Sequence, residues 1–306
     1  MPRILVIKLG ALGDFVQAMG PAAAIRAYHK DAEITLLTTA PFAEFARQAP
    51  YFDHVMIDER PSLFDWAGLQ RLRSQLRGAR FDRVYDLQTS RRSSWYFHLM
   101  GPGPRPEWSG IARGASHPHS NPKRDHMHTL DRQAEQLRMA GIAAVPLPDL
   151  AWAKADITRF ALPARFIVLV PGGAAHRPEK RWPIERYAAL AQRIAAKGIM
   201  PVVLGGPGET GLGAALTAAC ATAYDLTGET SFGDIVGLGA AALHAVGNDT
   251  GPMHLLVAAG AAATVLYSRA SNPLLTQPRG RNVTVLQSND LADLAVDKVA
   301  ATLHLS

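Results

Sequence analysis

Cysteine is nearly absent. Cys220 is the one cysteine in 306 residues, so no internal disulfide framework can form and a reducing compartment suits the chain. No stretch of eighteen apolar residues occurs, which excludes a membrane-spanning helix. The start, MPRILVIKLGALGD, holds only a short apolar run, without the longer apolar region and small-residue cleavage site of a signal peptide. A cytoplasmic globular protein is expected. No Asp-x-Asp pair occurs either. The paired carboxylates that commonly hold a divalent metal against a diphosphate are therefore missing, and an anion of that kind would have to be met by positive side chains and helix dipoles.

The chain is basic, with a net charge of +6 and Lys/Arg clusters at Arg71–Arg80, Arg91–Arg92 and Lys180–Arg181. Such a balance suits an anionic substrate, an anionic membrane surface or nucleic acid. Basic stripes interleaved with aromatics and recognition-helix motifs are lacking, so no nucleic-acid partner is expected.

Hydrophobic residues make up 48% of the chain, ample for buried parallel sheets and against disorder. Apolar runs alternate with longer amphipathic segments, which reads as an α/β fold of strand–helix repeats. In the first half, strands are expected at Ile4–Lys8, Ile34–Thr39, His54–Asp58 and Arg83–Gln88, with helices near Phe15–His29, Pro41–Gln48 and Trp66–Leu76. A Gly-, Pro- and His-rich segment from Gly101 to His128 precedes a helix near Leu130–Ala140, and Val145–Pro148 reads as a linker. The pattern then restarts, with strands at Phe166–Val170, Met200–Gly205, His244–Gly247, Thr264–Tyr267 and Val283–Leu286. Helices are expected at Ile184–Lys197 and, closing the chain, at Leu291–Leu303. Two Rossmann-like doubly wound domains, 1–148 and 149–306, are thus expected to face a cleft, with ligands at the carboxyl ends of their strands.

Three motifs fall at such strand ends. Gly10-Ala11-Leu12-Gly13-Asp14 follows the first strand and opens a helix. Its glycine spacing fits a dinucleotide fingerprint poorly, and Asp14 either caps the helix or serves as a catalytic carboxylate. Pro171 to Pro183 follows the first strand of the second half and combines Gly172, Gly173 and Lys180. Backbone donors and a compact positive charge are what a diphosphate requires, although a solvated basic loop would read the same way. Gly247 to His254 contains Asn248, Asp249, Thr250 and Gly251. Thr250 can cap the next helix, whose free N–H groups suit a phosphate, while Asp249 and His254 can bond sugar or phosphate. Glu209 could accept ribose hydroxyls or merely start a helix. His117, His119, Asp125, His126 and His128 lack the helical spacing of common metal sites, and a polar loop is the simpler reading.

Taken together, K-L-G-A-L-G-D at Lys8–Asp14, D-L-Q at Asp86–Gln88, the Lys180–Pro183 segment and N-D-T-G-P-M-H at Asn248–His254 resemble glycosyltransferase family 9, the ADP-heptose:lipopolysaccharide heptosyltransferases. Their order and spacing extend over nearly the whole chain. The resemblance implies a GT-B fold, inversion at the anomeric carbon, and neither metal nor cofactor. It implies a nucleotide-sugar donor and a lipid-linked or oligosaccharide acceptor, with peripheral contact at the cytoplasmic face of the inner membrane. By the same resemblance Asp14 matches the base and Lys180 the lysine on the donor phosphates. Gly173, Ala174, Glu209, Asp249, Thr250, Gly251 and His254 match donor-binding positions, and Lys8, Gly13, Arg92 and Arg113 fall near positions that bind an anionic acceptor. Two positions depart from the pattern. Gly173-Ala174-Ala175 stands where many members carry hydroxyl residues, and Thr89 stands where glycine often follows D-x-Q.

Other functions fit the same architecture less well. A sugar-nucleotide 2-epimerase would need no acceptor, and a non-catalytic sugar-nucleotide-binding protein would not need Asp14 and Lys180. A nicotinamide oxidoreductase would require a different glycine spacing.

Overall fold

The computed structural model describes residues 1–62, 64–174 and 176–303. The chain divides into two compact units, Met1–Pro148 and Asp149–Ser306. Each is built on a six-stranded parallel sheet.

In the N-terminal unit the strands are β1 (Arg3–Ile7), β2 (Glu33–Thr38), β3 (His54–Ile57), β4 (Arg83–Asp86), β5 (Glu107–Gly110) and β6 (His117–Pro118). Their spatial order is β3-β2-β1-β4-β5-β6, so the chain reverses direction across the sheet between β1 and β4. In the C-terminal unit β7 (Phe166–Val170), β8 (Met200–Val203), β9 (Tyr224–Asp225), β10 (His244–Asn248), β11 (Ala263–Tyr267) and β12 (Val283–Gln287) lie in the order β12-β11-β10-β7-β8-β9. The same Rossmann order therefore occurs twice, with the second reversal between β7 and β10. Ligands of doubly wound sheets bind at that switch point, outside the carboxyl ends of the strands.

The central strands read as continuous apolar runs because both faces are covered; every residue of β7, β10 and β11 is buried. The helix Ile184–Ala195 illustrates the covering layer. Tyr187, Leu190, Ala191 and Ile194 are buried in it at i, i+3, i+4 and i+7, a stripe that faces the sheet. Each large side chain so buried contributes about 1.5–3 kcal/mol.

Several expectations are corrected. The first helix is two, Leu12–Gln17 and Met19–Tyr28. Pro21 lacks the N–H that would continue the ladder across Gln17, and the axis breaks there. The second of these helices packs so close to the chain near the unit boundary that a Cβ on Gly20 would lie 2.2 Å from the Pro146 carbonyl oxygen. The segment Gly101–His128, expected to be irregular, contributes β5 and β6 and a fully buried Trp108. The terminal helix is a single turn at Leu291–Asp293 followed by Val296–Ala300. The Trp182 indole N–H takes the Leu294 carbonyl at 2.9 Å, which diverts that carbonyl from a helical bond. Among the described residues, no helix is long and apolar enough to cross a membrane.

Candidate active site

In the N-terminal unit K-L-G-A-L-G-D and D-L-Q meet at the switch point. β1 and β4 pair with Ile7 opposite Asp86, so the residues after them emerge side by side. The Gln88 side-chain oxygen accepts from the Leu9 N–H at 2.9 Å, and the Lys8 ammonium donates to the Leu87 carbonyl at 3.3 Å. D-L-Q and K-L-G-A-L-G-D are thus stitched together. Gly10 turns the chain at φ +114°, with a Cβ position only 2.7 Å from the Phe42 ring; no side chain fits there without displacement.

Asp14 lies in the first turn of the helix Leu12–Gln17, but the N-cap is Ala11 and no side chain caps it. Gly13 stands one residue before it, half-buried. The Asp14 carboxylate forms no hydrogen bond or ion pair among the described residues. Asp14 thus stands in the first turn, where an acid suits the helix N-terminus, and its carboxylate also lies in the field of Lys8 and Arg132.

Lys8 is 4% exposed. Burial lowers its pKa, against the pull of Asp14 and Asp86, with Arg132 adding to the lowering. Expected as an acceptor contact, it is buried in the field of Asp14 and Asp86. Arg92, also expected there, is engaged internally. It bonds the Tyr96 hydroxyl at 2.6 Å and the Pro61 carbonyl at 2.9 Å, and lies 3.7 Å from Asp58. Arg113 is exposed in the loop after β5.

Sequence reasoning passed over Arg124 and Arg132. The helix Thr129–Met139 places Arg132 in the field of Asp14, and the loop before it places Arg124 in the field of Arg132. Arg124 has two guanidinium nitrogens buried without a partner among the described residues. The loop is pinned to the helix where His119 and Asn121 bond Glu135 at 3.2 and 2.9 Å. The His128 Nδ1 accepts from the Leu130 N–H at the helix start. Among the described residues, no three His, Cys, Asp or Glu side chains converge as a metal site.

In the C-terminal unit the other motifs also meet at the switch point, and Asn248 at the end of β10 joins them. Its amide donates to the carbonyls of Pro171 and Gly172 at 2.9 and 3.0 Å. Its oxygen accepts from the Trp182 N–H at 3.0 Å and the Tyr187 hydroxyl at 3.1 Å. One buried side chain thus fixes the Gly-rich loop, the Lys180–Trp182 segment and the start of the next helix.

On that frame the Lys180 ammonium meets Asp249 at 2.8 Å, both groups largely buried. Burial alone would raise the Asp249 pKa; the bond and charge of Lys180 outweigh it and hold the carboxyl below its usual range. Thr250 occupies the N-cap of the helix Gly251–Ala258, but its side chain makes no capping bond. Its hydroxyl donates back to the Asn248 carbonyl at 3.3 Å, so the helix N-terminal N–H groups are not claimed by it. His254 is buried one turn further on.

Glu209 does more than start a helix. One oxygen accepts from the Gly173 N–H at 2.7 Å and the other from the Gly206 N–H at 2.8 Å, linking the loops after β7 and β8. A Cβ on Gly172 would lie 1.8 Å from that carboxylate, so a side chain there would displace Glu209 from its bonds. Ala174 is exposed at the loop tip, and Ala175 lies outside the described residues.

A chain with two Rossmann units, an unengaged carboxylate at one switch point and a lysine-bearing glycine loop at the other matches the family model of glycosyltransferase family 9 (heptosyltransferase) over residues 69–303. The chain belongs to that family. It is therefore a glycosyltransferase. Lipopolysaccharide heptosyltransferase 2 of Escherichia coli (strain K12) is 25% identical over 314 residues, covering 93% of this chain and 88% of its own. Among solved structures, the E. coli ADP-heptose lps heptosyltransferase II superposes with a TM-score of 0.80 at 23% identity, covering 98% of this chain and 97% of that one. The family 9 glycosyl transferase from Veillonella parvula DSM 2008 superposes with a TM-score of 0.84 at 20% identity, covering 98% and 95%. At these identities the structural likeness speaks to the two-domain GT-B fold.

Proposed function

We propose that this glycosyltransferase moves heptose from ADP-heptose to an acceptor of the lipopolysaccharide core, with inversion and without a metal ion. The observation that carries the reading is the Lys180–Asp249 pair beside an uncapped helix start. A buried positive charge and free N–H groups are what a diphosphate leaving group needs. The residues present would hold the donor as follows. Its diphosphate lies on the Gly173–Ala174 loop, Lys180 and the Thr250–Gly251 helix start. Asp249, His254 and the remaining lone pairs of Glu209 take hydroxyls.

The acceptor belongs to the N-terminal unit, where Arg113, Arg124 and Arg132 supply positive charge for its anionic groups and Gly13 lets it approach the backbone. Asp14 removes the proton from the acceptor hydroxyl as that oxygen attacks the anomeric carbon, on the face opposite the departing ADP. A positioned carboxylate base contributes about 10²–10⁴-fold. A lipid-linked acceptor would bring the enzyme to the cytoplasmic face of the inner membrane.

A thermal-shift screen against ADP-, GDP-, UDP- and dTDP-linked ligands tests the donor half of this reading. A ligand that binds only the folded state raises stability by RT ln(1 + [L]/Kd). ADP ligands are expected to give the largest shift, and a larger shift with UDP would overturn the assignment of the donor.

A further inference from the structure

The Lys180–Asp249 pair joins the loops after β7 and β10, and a third loop reaches it. β11 pairs with β10 with Leu266 opposite Asn248, and the Asp249 N–H donates to the Leu266 carbonyl at 3.1 Å. Tyr267 therefore ends its strand beside Asp249. The loop that follows is tied down at several points. The Arg177 guanidinium donates to the Ala270 carbonyl at 2.6 Å, and the Ser268 hydroxyl accepts from the Ala270 N–H at 3.2 Å. Asn272 caps the short helix Pro273–Thr276 by accepting from the Leu274 N–H at 3.0 Å.

The three loops converge on the Asp249 carboxylate. Burial would raise its pKa; Lys180 lowers it most, and the Ser271 and Tyr267 hydroxyls add to the lowering. Both hydroxyl oxygens are shut off from water, without a partner in strict hydrogen-bond geometry among the described residues. They nonetheless stand close enough to Asp249 to favour its charge. Tyr267 feels the same contact from its own side. Burial, and after it the Asp249 charge, push the phenol far above its ordinary value, so it keeps its proton. A protonated phenol and a serine hydroxyl are both donors to a carboxylate. Two buried hydroxyls left loose at one carboxylate call for a reason.

The free protein commits the Lys180 ammonium to Asp249 at 2.8 Å. To meet a diphosphate the ammonium must share its charge, and a buried carboxylate that loses part of its cation needs other donors. We propose that Tyr267 and Ser271 are positioning residues for donor binding, whose hydroxyls close onto Asp249 as Lys180 turns to the diphosphate. The carboxylate then stays charged and in place while the lysine serves the donor. Hydrogen bonds at such sites are often long in the free protein and tighten in the complex. These roles rest on the donor reading of the site and add to it two residues that touch no reacting atom.

The experiment is a double-mutant cycle between Tyr267→Phe and Lys180→Ala on the full chain, read as the Kd for ADP by titration calorimetry. Tyr267→Phe keeps the packed ring and removes only the hydroxyl. In the wild-type background it should weaken ADP binding by about tenfold. In the Lys180→Ala background the loss should be under about twofold, because no ammonium is left to release. Ser271→Ala, half-buried in the loop, closes the same cycle with the same expectation, and it carries the test should Tyr267→Phe fail to fold. Unchanged ADP affinity in either folded variant overturns the proposal. So does an equal loss in both backgrounds, since the hydroxyls would then only support the fold. A wild-type chain that binds no ADP overturns the donor reading together with this inference, whereas wild-type binding with additive losses overturns the inference alone.

Discussion

Lys180 and Asp249 form an ion pair at 2.8 Å that joins the loop after β7 to the loop after β10. Each keeps the other's charge compensated in the free enzyme, and both project where the donor diphosphate is proposed to lie.

Replacing Lys180 by alanine should therefore have two separate effects. In turnover, kcat should fall as well as KM rise, because charge on the leaving phosphate grows as the glycosidic bond breaks. The expected loss is about 2–4 kcal/mol in kcat/KM. In stability, the depressed Asp249 pKa is a contribution present above the unfolded carboxylate range and lost as pH falls through the folded value. The difference in stability between wild type and Lys180→Ala should be full at neutral pH and vanish in acid. An unchanged kcat would leave Lys180 with a structural role alone.

Asn248→Ala should be severe although Asn248 touches no reacting atom. It would leave the Trp182 N–H and the Pro171 and Gly172 carbonyls without their buried partner. A loss of about 3–4 kcal/mol is expected in denaturant unfolding. A loss under about 1 kcal/mol would mean that the three segments are held by other contacts.

The strand–helix alternation, the unit boundary near Pro148 and the strand-end motifs could all be read from the residues, because apolar periodicity and glycine punctuation are local signals. What escaped was non-local. β5 spans only the four residues Glu107–Gly110, too short for a period to register, and its Trp108 is buried by partners distant in sequence. The Leu291–Leu303 stretch has helical periodicity, yet Trp182 claims a carbonyl in its middle. Lys8, Arg92 and Arg132 are each basic residues near a motif. Nothing in the spacing reveals that Lys8 is buried, that Arg92 bonds Tyr96 and Pro61, or that Arg132 lies in the field of Asp14.

Thr89 marks a position where chain context and residue type conflict. It sits at φ +43°, a left-handed conformation that is costly for a β-branched residue. Its N–H is needed there by Asp86, at 2.9 Å. This accounts for the glycine often found after D-x-Q. Thr89→Gly should stabilise the protein by up to about 1 kcal/mol, the strain relieved less the added chain entropy. A lowered melting temperature would contradict this.

Asp86 carries a second pH signature. Burial raises its pKa to about 6, against the opposing N–H groups of Thr89 and Gln88 and the charge of Lys8. A folded value above the unfolded one means that the native state holds the proton more tightly. The contribution is then full below about pH 4 and lost as pH rises toward 6. Wild type should lose up to about 3 kcal/mol relative to Asp86→Asn across that window. A pH-independent difference between the two proteins would show that Asp86 is ionised at its ordinary value.

The most direct test is the steady-state transfer rate of wild type and Asp14→Asn with ADP-heptose and a lipopolysaccharide-core acceptor in excess EDTA. The Asp14 side chain makes no capping bond, so the near-isosteric amide should fold normally, with stability changed by under about 1 kcal/mol. Wild type should keep its activity without metal, and Asp14→Asn should lose about 10²–10⁴-fold in kcat. Wild-type activity abolished by EDTA and restored by magnesium, or a variant retaining more than about a tenth of wild-type turnover, would contradict a metal-free transfer driven by Asp14.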